Sequence, residues 1–147
     1  ELKVVEDYMY IQKMRFGGRI QYECQCRVNP QAVQIPAFTL QPLVENAIVH
    51  GISKKEQGGR VILRVWQQGT DVTVSVADTG GGMSDERREE LEEAMKGERT
   101  ARVGIGLGNI YQRIHSMYQD GDLRIYSRQG RCTVVQLRIP QEETELV

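Results

Sequence analysis

Three short stretches combine residue types that could bind a nucleotide and a metal ion. The first, Leu40–Gly51, carries a carboxylate, a carboxamide and an imidazole at Glu45, Asn46 and His50. Helical spacing places Asn46 and His50 one turn apart on one face. The neighbouring face is an apolar stripe made of Leu40, Val44, Ala47 and Ile48. A carboxamide oxygen suits a divalent ion that bridges phosphates, although this stretch alone is equally explained as an amphipathic helix with a polar edge.

The other two stretches are rich in glycine. Asp78–Met83 follows a predicted strand and contains three consecutive glycines. The aspartate can accept a hydrogen bond from a ligand amine, and the glycines let the backbone approach a ligand closely. Gly104–Asn109 opens a predicted helix, whose free N–H groups and dipole favour a phosphate. Each glycine stretch alone is also typical of an ordinary turn.

The order of the three stretches is more informative than any one of them. The chain contains no P-loop, and Gly104 and Gly106 follow a charged segment rather than a strand, which excludes the dinucleotide-binding context. A charged segment with few apolar residues, from about Ser84 to Val103, separates the two glycine stretches. We therefore predict a nucleotide site covered by a mobile lid.

Hydrophobic periodicity predicts the elements that position these stretches. Helices are predicted at 1–16, 40–51, 84–97 and 104–118, and strands at 21–28, 60–66, 72–77, 123–127 and 133–139. Ser84 is expected to cap the third helix. The fourth helix has an expected inward stripe of Leu107, Ile110, Ile114 and Met117. Helices combined with a mostly antiparallel sheet predict a two-layer α/β sandwich.

The first helix has two interpretations. Its residues Val4, Tyr8 and Ile11 form a seam that could pack on the core, the simpler expectation, or pair with another helix.

Composition narrows the class of protein. The length of 147 residues suits one domain, and 19 Lys and Arg against 20 Asp and Glu do not point to nucleic acid. No apolar run is long enough to span a membrane. The three cysteines show no metal-binding spacing, and we expect them to be buried free thiols in a reducing compartment.

Together the stretches resemble the ATP-binding domain of sensor histidine kinases of the LytS/YesM type, in the GHKL ATPase superfamily. Leu40-Gln-Pro-Leu-Val-Glu-Asn-Ala-Ile-x-His-Gly51 resembles the N box, and Asp78-x-Gly-x-Gly-Met83 resembles the G1 box. Gly104-Ile-Gly-Leu-x-Asn-Ile110 with Arg113 resembles the G2 box. Tyr10-Ile-Gln-x-x-Arg-Phe16 is similar to the stretch that joins the dimerisation helices to this domain. The resemblance covers nearly the whole chain.

The resemblance implies a Bergerat-type fold, a mixed β-sheet with helices on one face and a mobile ATP lid. It assigns Asn46 to Mg²⁺ between the phosphates of ATP, Glu45 to polarising the attacking group, and His50 to a phosphate or lid contact. Asp78 would accept from the adenine amino group, with Thr133 supporting it through water. The other implied nucleotide contacts and lid hinges are Gly80, Gly82, Met83, Gly104, Gly106, Leu107 and Asn109.

It also implies a division into the end of a dimerisation or linker helix (1–17) and a histidine kinase-like ATP-binding catalytic domain (18–147). Neither His50 nor His115 lies in a phosphoacceptor setting, so we expect that histidine upstream of Glu1, on the protein's own dimerisation domain. The implied reaction transfers the γ-phosphoryl of Mg-ATP to it, for relay to a response regulator. The full-length protein would be a homodimeric bacterial membrane sensor, with this chain in the cytoplasm, itself not membrane-inserted.

Two alternatives stay open. Anti-sigma-factor-type serine kinases share the same three boxes, and a non-catalytic nucleotide-binding signalling module would keep the site without the transfer. The chain departs from the family pattern before its last strand, where Cys132 replaces the usual glycine in front of Thr133. That turn is therefore less free.

Overall fold

The computed structural model describes residues 1–52, 56–96 and 105–141. Its helices are α1 (Leu2–Phe16), α2 (Leu40–Asn46), α3 (Asp85–Lys96) and α4 (Ile105–Met117), and its strands are β1 (Ile20–Cys26), β2 (Gly59–Gln68), β3 (Asp71–Asp78), β4 (Asp122–Arg128) and β5 (Cys132–Pro140). The predicted elements are thus confirmed, with bounds that differ by a few residues. Of the lid predicted from about Ser84 to Val103, residues 97–103 lie outside the described residues, as does Gly104.

The strands form one mixed sheet in the order β1-β2-β3-β5-β4. β1 runs parallel to β2, and every other neighbouring pair is antiparallel. This arrangement confirms the predicted two-layer α/β class. In the described part of the chain no helix is long and apolar enough to cross a membrane.

The two faces of the sheet differ because side chains alternate along each strand. The face that packs against the helices carries the buried core residues, among them Val61, Leu63, Val72, Val74, Val76, Val135 and Leu137. The opposite face carries charged pairs such as Arg60–Glu23 at 2.9 Å and Arg124–Asp122 at 3.0 Å. The core therefore lies between one sheet face and the helices.

The predicted helix 40–51 is not α-helical throughout. It is α-helical over Leu40–Asn46 and continues as a π-helical segment over Ala47–Gly51. The Ile52 N–H donates to the carbonyls of Ala47 and Ile48, which closes the wider turn. Single π turns are often found at functional sites. The predicted apolar stripe is nevertheless buried as expected.

The first helix buries a different face from the predicted one. Val5 and Met9 are 0% and 2% exposed, whereas Val4 and Ile11 of the predicted seam are 49% and 60% exposed. The expectation that this seam packs on the core was therefore wrong for Val4 and Ile11. Apolar residues lie on several sides of the helix, interspersed with charged ones such as Glu6 and Lys13, so its hydrophobic pattern does not determine which face is buried.

Two further expectations about burial were wrong. Met117 is exposed because α4 ends there, beyond the edge of the core that buries Ile114. The three cysteines are free, as predicted, but not buried: Cys24 is exposed, and Cys26 and Cys132 are half-buried. Cys24 and Cys26 lie on β1, which is an edge strand and gains cover from one neighbour only.

Candidate nucleotide-binding site

Asp78 forms the centre of the site at the end of β3. It is 4% exposed, and it lies opposite Thr133 of β5 and Val61 of β2. Its Oδ1 accepts a hydrogen bond of 2.9 Å from the Gly80 N–H. The central strand β3 therefore holds a carboxylate on the core face of the sheet, at the point where the chain leaves the sheet.

Two glycines leave room for this carboxylate. A Cβ atom on Gly51, at the end of the π segment, would lie 2.6 Å from Asp78 Oδ1. A Cβ atom on Gly80 would lie 2.6 Å from the Gly51 Cα and 2.7 Å from Asp78 Oδ1. The helix that carries Asn46 thus packs directly against the G1 stretch, and only glycine fits at the contact.

The remaining glycines of the G1 stretch behave differently from one another. Gly82 has a positive φ of 60°, and a Cβ there would collide with the Arg128 carbonyl. A Cβ on Gly81 would meet nothing within 4 Å. The spacing Asp78-x-Gly-x-Gly therefore has a steric basis in this chain, because both required glycines are closely packed and the second variable position, Gly81, is open.

Ser127 belongs to the site and was missed by sequence reasoning. Its Oγ accepts from the Met83 N–H at 2.9 Å and lies 3.0 Å from Thr133 Oγ1 and from the Cys132 carbonyl. It therefore joins the G1 stretch to β5. Its position opposite Thr133 in the register was the only available signal, and this depends on strand pairing that the sequence does not display.

The polar edge of the N-box helix faces outward. Asn46 is half-buried, and Glu45 and His50 are exposed. The π segment begins immediately after Asn46, so His50 no longer follows it by one regular α-helical turn. The structure thus places Asn46 on the helix that touches Asp78 through Gly51.

Asn46 is the residue predicted to hold Mg²⁺. In the described ranges no three His, Cys, Asp or Glu side chains come together as a metal-binding group. Mg²⁺ typically keeps several waters and binds one or two protein oxygens together with substrate phosphates, rather than a complete protein cage. The neutral oxygen of Asn46 is compatible with this kind of site.

Helix α4 carries three further residues that were predicted to contact the nucleotide. Gly106 and Asn109 are exposed, whereas Leu107 is 2% exposed and packs into the core. The buried side chain of Leu107 therefore anchors the helix. A nucleotide could contact only the backbone of Leu107, together with the exposed residues beside it. Gly104 cannot be placed, because it lies outside the described residues.

The first helix lies close to Glu45. Burial raises the pKa of the Tyr8 hydroxyl above its ordinary value, and the negative charge of Glu45 raises it further. Tyr8 was not predicted to lie near the candidate site. The α1 helix is therefore a neighbour of the polar edge of α2.

Comparison with known proteins identifies the family to which the chain belongs. Residues 36–143 match the family of histidine kinase-, DNA gyrase B- and HSP90-like ATPases, and the chain belongs to this family. It is 37% identical to the sensor histidine kinase YpdA of Escherichia coli K12, over 82% of the chain and 20% of that protein. It is 29% identical to the sensor protein LytS of Bacillus subtilis, over 97% of the chain and 24% of that protein.

Solved structures show the same fold. The catalytic domain of the histidine kinase ThkA superposes with a TM-score of 0.71 at 18% identity, covering 95% of this chain and 88% of that one. The mycobacterial sensor histidine kinase MprB gives a TM-score of 0.61 at 19% identity, covering 95% and 93%. The chain thus has the fold of a histidine kinase catalytic domain, and it spans about a fifth to a quarter of the curated relatives YpdA and LytS.

Proposed function

We propose that the chain is the ATP-binding catalytic domain of a sensor histidine kinase. The observation that carries this proposal is the contact of Asp78, Gly80 and Gly51, which joins the G1 stretch to the helix bearing Asn46. We assign the purine to the buried carboxylate and the close-packed glycines beside it. The family membership supports ATP as the substrate.

The hydrogen bonds of the site support the roles that we propose for the adenine-side residues. We assign Asp78 to accept from the adenine amino group, because a carboxylate offers about four lone-pair sites and can accept several hydrogen bonds at once. Thr133 lies opposite Asp78 and is oriented by Ser127. We assign the intervening position to a water held by Thr133 and Asp78. Met83 lines the same side, and Ser127 fixes its backbone.

The phosphates are assigned to the other end of the site. Asn46 holds Mg²⁺ through its carboxamide oxygen, and the ion neutralises phosphate charge as it does in phosphoryl transfer generally. We assign the exposed Glu45 to polarising the attacking imidazole and the exposed His50 to a phosphate or lid contact. Gly106 and Asn109 on α4, with Gly80, Gly82 and Gly104 as hinges, complete the proposed nucleotide contacts.

The acceptor is proposed to lie outside the printed sequence. His115 is exposed on α4 and lies beside Tyr111, with ring centroids 4.3 Å apart and the ring planes tilted by 46°. The γ-phosphoryl would therefore pass to a histidine of the protein's own dimerisation domain, upstream of the catalytic domain at 18–147, and then to a response regulator. Residues 1–17 would end the helix that links the two domains in a homodimeric, membrane-anchored protein whose catalytic part is cytoplasmic.

Radiolabelled ATP tests the transfer. The 147-residue chain should remain unlabelled, and a version extended upstream through the dimerisation segment should gain an acid-labile, base-stable label. An acid-stable label on a serine of a partner would favour the serine kinase instead. Nucleotide binding without any label in the extended protein would favour the non-catalytic module.

A further inference from the structure

The turn that precedes α2 contains a strained residue. Phe38 has a φ of 61° and is 71% exposed. A bulky residue in the left-handed region is an outlier that persists only where its surroundings impose it. Among the described residues it is the only non-glycine with a positive φ. Its side chain gains little burial there, so the backbone contacts must hold the conformation.

Two charged side chains bind the backbone on either side of Phe38. The Arg113 guanidinium, from α4, donates to the carbonyls of Ala37 and Phe38 at 2.6 and 3.2 Å. The Glu1 carboxylate accepts from the N–H groups of Thr39 and Leu40 at 3.1 and 3.0 Å. Charge-assisted hydrogen bonds of this kind are the stronger ones in proteins.

The turn has no other cap of its own. Thr39 precedes α2 but makes no side-chain cap; its hydroxyl donates to the Pro36 carbonyl at 2.6 Å instead. The start of α2 is consequently set by residues from two distant parts of the chain. One of them, Arg113, lies on the helix that follows the predicted lid.

We propose that Arg113 is a positioning residue for the nucleotide site. It stabilises Phe38 in the left-handed conformation, and this fixes the entry of the chain into α2 and hence the place of Asn46. Glu1 holds the same turn from the side of α1. The inference rests on the proposed nucleotide site, and it assigns to Arg113 no contact with the nucleotide.

This role differs from that of a phosphate ligand in one measurable respect. If Arg113 acts by holding a strained turn, then removing the strain at position 38 should make Arg113 dispensable. The residue needed at position 38 is one that adopts positive φ without strain. Glycine at position 38 is such a residue, and alanine is not. Phe38→Gly should therefore compensate for the loss of Arg113, whereas Phe38→Ala should not.

The test compares Arg113→Ala, Arg113→Ala with Phe38→Gly, and Arg113→Ala with Phe38→Ala in the 147-residue chain. Mg-ATP affinity should fall at least about tenfold in Arg113→Ala, the lower end of the cost of a lost charge-assisted hydrogen bond, and return to within about twofold of wild type only with Phe38→Gly. Arg124→Ala, which removes an arginine from the open face of the sheet, is the control and should leave affinity unchanged. Affinity that does not fall, or that falls and is not restored by glycine, overturns the proposal.

Amide hydrogen exchange of α2 provides a readout that needs no nucleotide. Protection of the amides that follow Leu43 should drop in Arg113→Ala and recover with Phe38→Gly. Should the wild-type chain fail to bind Mg-ATP, the proposed function is overturned, and exchange alone decides the role of Arg113. Unchanged protection in Arg113→Ala would then overturn that role, and loss followed by recovery would support it.

Discussion

Oδ1 of Asp78 lies 2.9 Å from the amide nitrogen of Gly80, and the Cα of Gly80 in turn packs against the backbone of Gly51. The three residues make one contact in which the end of β3, the G1 stretch and the N-box helix meet. Any side chain added there must displace either the carboxylate or the helix. The contact of Asp78, Gly80 and Gly51 therefore belongs both to the candidate site and to the packing of the fold.

A matched pair of alanine substitutions measures this steric constraint. Gly80→Ala should weaken nucleotide binding and lower the free energy of unfolding by about 1–3 kcal/mol, the usual cost of overpacking. Gly81→Ala is the control, because its Cβ would meet nothing within 4 Å. Denaturant unfolding and nucleotide titration check both variants. Equal effects of Gly80→Ala and Gly81→Ala would show that the close contact at Gly80 does not cause the loss.

The hydroxyl of Ser127 should couple to that of Thr133. Ser127→Ala removes the hydrogen bonds that the Ser127 hydroxyl makes with the Met83 N–H and with Thr133 Oγ1. This loss should lower the free energy of unfolding by about 1 kcal/mol. A double-mutant cycle with Thr133→Val should give a coupling energy of at least about 0.5 kcal/mol. Strict additivity in denaturant unfolding would mean that the two hydroxyls do not interact.

The two faces of α1 should differ sharply on truncation. Val5→Ala removes a fully buried side chain and should cost about 2 kcal/mol, from the lost apolar burial and the cavity left behind. Val4→Ala, its neighbour, is half exposed and should change stability by less than about 0.5 kcal/mol. Thermal or chemical unfolding of the pair checks the assignment. A larger loss at Val4 would instead place the predicted seam in the core.

Tyr22 should make stability depend on pH in the alkaline range. Burial raises the pKa of its hydroxyl well above 10, and the neighbouring Cys24 raises it further. The folded state then holds the proton more tightly than the unfolded state, so this contribution is complete below pH 10 and is lost as the pH rises above it. Tyr22→Phe should therefore show a shallower decline in unfolding free energy above pH 10, with the wild type at pH 7 to 8 as the reference. Parallel declines would contradict the assigned shift.

Much of the fold could be predicted from the sequence because its strands alternate strictly and its helices have clear ends. The run Val72, Val74 and Val76 specifies one buried face, and Ser84 caps α3 by accepting from the Arg87 N–H at 3.2 Å, as expected. The stripe of Leu40, Val44, Ala47 and Ile48 is likewise buried as its spacing predicts. These features depend on local spacing alone.

The features that could not be predicted depend on tertiary contacts. The π segment arises where Gly51 meets Asp78, 27 positions further along the chain, and the buried face of α1 is chosen by its neighbours. Ser127 gains its role from strand register. The roles of Glu45, Asn46 and His50 remain predictions, because the structure places these residues without a ligand to contact.

Titration calorimetry of the 147-residue chain with Mg-ATP tests the central claim most directly. Asp78→Asn keeps the size and shape of the side chain but replaces one oxygen with an NH₂ donor, which cannot accept from the adenine amino group. The affinity of Asp78→Asn for the nucleotide should be at least about tenfold below that of the wild type. Chelation of Mg²⁺ should weaken binding in the wild type but not in Asn46→Ala. Asp71→Asn, at the opposite end of the same strand, is the control and should bind as the wild type does. Wild-type affinity in Asp78→Asn would contradict the proposed site.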